Sequence, residues 1–474
     1  MPERPYTYYD FTLSLCTTCL RRIDAKIVFE NGNVFMLKNC SEHGFQKVLI
    51  ATDIEYYKNL RNYNKPSETP LQFNTKTHFG CPYDCGLCQD HEQHSCLTVV
   101  EITDRCNLTC PTCYAMSSPH YGRHRTVEEV EKMLDIIVAN EGTPDVVQIS
   151  GGEPTIHPDI FAILDIAKEK PIRHLMLNTN GIRIAKDFEF AKQLATYAPD
   201  FEIYLQFDSF KPEALEHLRG KDLTDIRKQA LEHLNALNLS TTLVVTLQKG
   251  VNDDEIGKII EFALQQKCVR GVTFQPTQIA GRVENFDPTK DRFTLTEVRQ
   301  SILDQTSIFT AKDLIPVPCN PDSLVMGYAL KLAGQTFPLT RYIDPSHLLD
   351  NSRNTIVYEQ DTALHEQMIN IFSTGISVDR VEENMKQLLC CLPQIEAPGL
   401  GYDNLFRIII MRFIDAYDFD VRAIKKSCVH IVHKDGRIIP FETMNLFYRD
   451  EKEKYLLQLQ QEREETLFRL KTVS

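Results

Sequence analysis

From Leu97 onward, short apolar runs alternate with longer amphipathic stretches. The runs Leu97 to Thr103, Val146 to Ser150, Leu175 to Asn178, Glu202 to Phe207, Thr242 to Thr246 and Val272 to Gln275 read as strands. Helical spacing fills the intervals. Thr126 and Glu129 offer a capping box ahead of Val130, Met133, Leu134 and Ile137, and Asn252 and Glu255 offer a similar start ahead of Ile256, Ile259 and Ile260. Such alternation predicts an α/β fold, a parallel sheet joined by crossover helices. Functional residues in such sheets sit at the carboxyl ends of the strands. There the sequence places Gly151 and Gly152 after the second strand, Asn178 and Asn180 after the third, Gln206 and Asp208 after the fourth, and Thr246 and Gln275 at the last two. Any one of these could be an ordinary turn residue, but their recurrence points to a site.

The rest of the chain divides around this unit, residues 97–282. Residues 1–53 form a small N-terminal unit with Asn31-Gly32-Asn33 as a hairpin turn. Residues 54–96 are a polar connection ending in a cysteine-rich stretch. Residues 283–474 form an α+β region with an apolar run from Leu405 to Ile414, read as a buried core element, and a hairpin turning at Asp435-Gly436. The tail carries leucines at helical spacing, Leu456, Leu459, Leu467 and Leu470, suited to packing on the body.

Composition narrows the class. The 474 residues are 42% hydrophobic and 25% charged, as in a soluble globular protein. The net charge of −13 argues against recognition of nucleic acid by a general basic surface and favours small or neutral substrates. The first residues lack the sustained apolar run of a secretory signal. The Leu405 to Ile414 run, broken by Arg407 and Arg412, is too short to span a bilayer. Fifteen cysteines without such a signal read as metal ligands and reduced thiols of an oxygen-poor cytoplasm.

The cysteines fall into groups. Cys16 and Cys19, then Cys40 and His43, give two knuckles that would close a tetrahedral site, for zinc or rubredoxin-like iron, in a unit too small to fold unaided. Cys81, Cys85 and Cys88 form a C-x3-C-x2-C triplet, and Cys96 is a candidate fourth ligand for a closed, auxiliary 4Fe-4S cluster. Cys96 could instead be a buried residue opening the first strand; His91 and His94 are alternative ligands, although solvated or supporting roles suit both better. A second triplet, Cys106, Cys110 and Cys113, follows that strand. Three thiolates would leave one iron of a cube free for a substrate. Structural zinc is the competing reading for either triplet, but zinc does not explain the loop Gly151-Gly152-Glu153-Pro154 that follows 38 residues after Cys113.

CNLTCPTCYA together with SGGEP resembles the radical S-adenosylmethionine (AdoMet) superfamily, although the family's aromatic residue before the third cysteine is replaced by Thr112, with Tyr114 following. The resemblance implies a partial (β/α)6 TIM-like barrel. It also implies a 4Fe-4S cluster on Cys106, Cys110 and Cys113 whose open iron binds AdoMet, and a Gly151, Gly152, Glu153, Pro154 loop that holds the methionine end. Asn178, Asn180, Gln206 and Asp208 would then bind ribose or substrate, and an electron donor such as flavodoxin or ferredoxin is implied. The wider layout, from GCPYDCGLC to PVPC, is similar to the subgroup of archaeal tetraether lipid synthase and the pterin-carbon methyltransferase. Relatives in that subgroup carry a second cysteine soon after the position of Cys319, where this chain has Asp322 and Ser323. Whether Cys319, Cys390, Cys391 and Cys428 hold a further cluster therefore stays open.

The leading expectation is a radical AdoMet enzyme that functionalises an unactivated carbon, by coupling lipid chains or a related reaction. The alternative is a radical AdoMet methyltransferase acting on a pterin or other small molecule. A non-catalytic zinc-binding adaptor is the rival from another class.

Overall fold

Burial on both faces turns each parallel strand into a near-continuous apolar run, and the computed structural model forms strands at all six predicted places. It describes residues 4–332, 334–341, 354–356, 404–449 and 451–473. Cys390 and Cys391 lie outside the described residues, as do the side chains of Leu467 and Leu470.

The N-terminal unit is a four-stranded antiparallel sheet, β1 (Thr7–Leu15), β2 (Arg22–Glu30), β3 (Asn33–Cys40) and β4 (Gly44–Ala51). Asn31 and Gly32 both have positive φ, which is why the two-residue β2–β3 turn takes those residues. The unit is docked by a buried lysine. Lys38 Nζ donates to Leu15 O at 2.7 Å, and to Ala416 O and Tyr417 O at 2.8 Å each.

The central strands are β5 (Leu97–Thr103), β7 (Val146–Gly151), β8 (His174–Thr179), β9 (Phe201–Gln206), β10 (Thr241–Leu247) and β11 (Val269–Pro276), all parallel in that order, with the short β6 (Thr112–Cys113) in the loop after β5. After β11 come β12 (Arg282–Val283), β13 (Ile315–Pro316), β14 (Leu324–Leu332), β15 (Gln335–Pro338), β16 (Leu405–Met411), β17 (Val429–Val432) and β18 (Ile438–Pro440). Among the described residues, the longer strands of the C-terminal region join the central sheet. β16 adds parallel to β11, β14 pairs antiparallel with β16, and β17 adds parallel to β5 on the opposite edge. The boundary at residue 282 therefore divides the sequence but not the sheet, which runs β13-β14-β16-β11-β10-β9-β8-β7-β5-β17-β18 without closing. The Leu405 to Ile414 run begins with the wholly buried β16 (Leu405–Met411), and the Asp435-Gly436 hairpin joins β17 to β18.

Period-two alternation sorts the side chains. Val100, Ile102, Val147, Ile149, Leu175, Leu177, Ile203, Leu205, Leu243 and Val245 pack in one core with the surrounding helices. Val99, Val146, Met176, Tyr204, Val244, Ile409 and Met411 belong to a second core on the other face. Among the helices, Val127–Glu141 has the expected reciprocal box of Thr126 and Glu129. The Asn252–Glu255 box is absent, because Asn252 spends its amide on Asp208 O and Thr246 O, and Glu255 accepts from Ser209. Deep in the sheet, Arg407 and His174 pair with Glu202 at 2.6 and 3.1 Å. No helix among the described residues is long and apolar enough to cross a membrane.

Candidate active site

The loop after β5 carries Cys106, Cys110 and Cys113, and all three line a cavity at the carboxyl end of the strands. The loop is tied at both flanks. β6 pairs with β12, setting Cys113 opposite Arg282, and the Arg282 guanidinium donates to Cys110 O at 2.5 Å and Ser117 O at 2.9 Å. Burial, followed by the nearby Glu153 carboxylate, pushes the Cys106 thiol up to about 12. Burial also raises the Cys110 thiol, with Arg219 beside it acting the other way. Burial thus makes the Cys106 and Cys110 thiols hold their protons more tightly, and ligation must displace those protons. With three thiols facing open space on one loop, the donor set fits a cluster with one unligated iron.

Gly151 and Gly152 line the same cavity, for a reason visible in the backbone. Gly152 N–H donates to Thr103 O at 2.8 Å and Glu153 N–H to Arg105 O at 2.9 Å, so the glycine loop is zipped to the start of the cysteine loop. A Cβ on Gly151 would collide with Thr103 O, one on Gly152 with Arg105 O. Gly151 also has φ +131°, a conformation that side chains avoid.

Asn178, Asn180 and Gln206 line the cavity as expected; Glu153, Pro154 and Asp208 do not. Glu153 is buried with its carboxylate turned into the fold. It accepts from Thr155 N–H (3.0 Å), Thr155 Oγ1 (2.6 Å), Thr179 Oγ1 (2.8 Å) and Asn180 N–H (2.8 Å), so it braces the ends of β7 and β8. Pro154 is the buried start of the short helical turn Pro154–Ile156. Asp208, with φ +65°, is held by Arg219 at 2.6 Å and Arg227 at 3.2 Å. Burial opposes its charge, but the two guanidiniums keep its carboxyl below the usual range. The Glu153 and Asp208 carboxylates are thus occupied by the fold's own groups and Pro154 is buried, while Asn178, Asn180 and Gln206 open onto the cavity.

The remaining lining was only partly legible in sequence. Thr246 and Gln275 were expected; Gln148, Tyr204, Gln278 and Arg219 were not. Strand alternation could have found Gln148 and Tyr204, since each lies two residues from an inward-facing neighbour. Phe413 and Phe441 add a stacked pair, 4.0 Å between centroids, with Tyr114 edge-on to Phe441 at 4.8 Å.

The other cysteines separate into three groups. Cys16, Cys19, Cys40 and His43 place their ligand atoms within 4.8 Å of one another. Cys19 Sγ lies 3.8 Å from Cys40 Sγ, and His43 Nδ1 lies 3.6 Å from Cys16 Sγ and 3.5 Å from Cys40 Sγ. These are the edges of a tetrahedron around one ion. Burial opposes it, but the N–H groups of Cys19 and Thr18 bring the Cys16 thiol down to about 6. Cys85 lies against the helix Phe441–Phe447, where Thr443 Oγ1 donates to its Sγ at 3.0 Å, and Cys81 and Cys88 neighbour Cys85. Cys96 is not their fourth partner. It opens β5, fully buried, with its sulfur among those of Cys319 and Cys428. That grouping departs from the four-cysteine set and matches the other reading of the sequence, a buried Cys96 at the start of the first strand. Its physical cause is the β5–β17 pairing, which brings residue 428 beside residue 96.

The chain is similar to several known proteins. Residues 100–263 match the radical SAM superfamily, and residues 8–52 match the HMPTM N-terminal zinc ribbon domain. The chain is 31% identical to 7,8-dihydro-6-hydroxymethylpterin dimethyltransferase of Methanocaldococcus jannaschii, over 95% of this chain and 96% of that protein. It is 28% identical to GTP 3',8-cyclase of Nautilia profundicola over 37% of this chain, spanning 54% of that protein. A crystal structure of Streptococcus suis SuiB bound to S-adenosylmethionine superposes with a TM-score of 0.37 at 18% identity, covering 44% of this chain and 46% of that one.

Proposed function

The chain belongs to the radical SAM superfamily, and from that premise we propose that it is a methyltransferase acting on a pterin or a closely related small heterocycle. Membership makes it an enzyme and implies a 4Fe-4S cluster and AdoMet, for which Cys106, Cys110 and Cys113 are the fitting ligands. When bound, the reduced cluster supplies the electron that cleaves AdoMet and so generates a radical able to activate carbon. This chain's part is to seat and aim. Arg282 and the β6–β12 ladder fix the cysteine loop, and the Gly151-Gly152 backbone lets the next loop close against it.

The observation that carries the pterin reading is the end-to-end similarity to a pterin dimethyltransferase. The cavity supports it. Gln148, Asn178, Gln206, Gln275 and Gln278 present five amides, each both donor and acceptor, and Phe413 and Phe441 add flat apolar surface. Such a lining suits the edge and face of a planar heterocycle. Coupling of lipid chains finds no support. Of the apolar residues that could have formed a channel, Phe406, Ile408 and Ile410 pack in the core shared with the helices. The proposal also assigns zinc to Cys16, Cys19, Cys40 and His43, since imidazole suits that ion. A 4Fe-4S cluster at Cys81, Cys85 and Cys88, a donor of the flavodoxin or ferredoxin kind and a reducing cytoplasm complete it.

The test is anaerobic incubation of the full-length, cluster-loaded enzyme with AdoMet, reductant and 6-hydroxymethyl-7,8-dihydropterin, with the products resolved by mass spectrometry. Methyl transfer to the pterin is the expected result. Rapid AdoMet cleavage with no mass change in the pterin would overturn the substrate assignment.

A further inference from the structure

Three cysteines from distant parts of the chain converge in the core, away from the catalytic loop. Cys96, Cys319 and Cys428 are 0%, 2% and 1% exposed, and their sulfurs all lie within 4.8 Å of one another. The Cys319–Cys428 separation is 3.4 Å. That is far beyond a disulfide at about 2.05 Å. It is close to the roughly 3.8 Å edge of a tetrahedron with metal–sulfur bonds of about 2.3 Å, and to the 3.8 Å between Cys19 and Cys40 in the ribbon. A cube would set each thiolate on its own iron and spread them further.

A fourth donor stands beside Cys96, outside the group of three sulfurs that lie within 4.8 Å of one another. His94 Nε2 is 3.7 Å from Cys96 Sγ, while its Nδ1 is 2.9 Å from the buried Glu141 carboxylate. A carboxylate on the far nitrogen fixes the tautomer and orientation of an imidazole that ligates through the near one. Nε2 also lies 2.6 Å from Asn354 O, the partner it would exchange for an ion.

We propose that Cys96, Cys319, Cys428 and His94 bind a single divalent metal ion, zinc by the chemistry of its ligands. The three thiols lose their protons on binding and His94 ligates as neutral imidazole. The position gives the ion a task. Cys319 lies in the turn between β13 and β14, at one end of the sheet order, and Cys428 immediately precedes β17, near the other. The ion clasps the two ends of an open sheet. Leu97 and Val429, each next to a ligand, line the cavity, so the clasp lies behind its wall.

The test uses the full-length protein purified anaerobically, with zinc, iron and acid-labile sulfide measured in the wild type, a Cys319→Ser, Cys428→Ser double variant and His94→Gln. The double variant should lose about one zinc per chain, with iron and sulfide unchanged, and His94→Gln should release that zinc to a chelator severalfold faster. Unchanged zinc in the double variant, or loss of iron together with equal sulfide, overturns the single-ion site. If the double variant does not fold, anomalous diffraction from wild-type crystals decides. A zinc-edge peak among the three sulfurs supports the proposal; an iron-edge peak or none defeats it.

Discussion

Replacing Glu153 by Ala separates two roles for the glycine loop's carboxylate. If it only braces the fold, the variant leaves Thr155 N–H and Asn180 N–H without their acceptor, in a place with no access to water. The hydroxyls of Thr155 and Thr179 can turn to other acceptors, but the two backbone groups cannot. At about 1–3 kcal/mol for each buried donor left unpaired, the variant should lose roughly 2–6 kcal/mol, a large part of a typical stability of about 5–15 kcal/mol. Glu153→Gln keeps the shape but sets an amide N–H against one of these donors, so it should fall between the two. The assay is urea unfolding of the AdoMet-free protein, alongside the AdoMet dissociation constant of the folded fraction. Bracing predicts lowered midpoints in the order wild type, Gln, Ala before any cofactor is added. Unchanged unfolding with a large loss of AdoMet affinity would refute the bracing role and restore Glu153 as a cofactor ligand.

Three further outcomes follow from the geometry. Changing Cys106, Cys110 and Cys113 together to Ala should abolish AdoMet cleavage while leaving about four irons on Cys81, Cys85 and Cys88; an iron-free triple variant would remove that second cluster. Gly152→Ala should cut AdoMet cleavage at least tenfold by driving the two loops apart at Arg105 O, and wild-type rates would show that the zipped backbone is not required. Burial works against the Glu202 charge, but Arg407 and then His174 hold its carboxyl far below the ordinary 4.5. Its contribution to stability is therefore present above pH 4.5 and lost as the pH falls toward the folded-state value. Glu202→Gln should lower stability at neutral pH and flatten its decline on the acid side; a parallel decline would rule the ion pair out as the cause.

The six parallel strands were legible because burial on both faces writes them as apolar runs, and the ribbon because four metal ligands in two knuckles have few other uses. Side-chain direction was not. Asp208 and Gln206 look alike at the end of one strand, yet Gln206 faces the cavity, while Asp208, in a left-handed conformation, turns to Arg219 and Arg227. Asn252 and Glu255 have the spacing of a helix cap, but loop partners across the sheet compete for their polar atoms and win. Sequence proximity points Cys96 toward Cys81, Cys85 and Cys88 as readily as toward simple burial, whereas the pairing of β5 with a strand more than three hundred residues later decides its surroundings. Long-range pairings of that kind leave no local trace.

The short ladder between Thr112–Cys113 and Arg282–Val283 also dictates an order of assembly. The cysteine loop is made early in the chain, but its shape is completed by residues that follow the sixth core strand. A nascent polypeptide that has emerged only as far as the glycine loop holds the three cysteines without the guanidinium that gathers Cys110 O and Ser117 O. The cysteine loop therefore reaches the shape described above only once the residues after the sixth core strand have joined it.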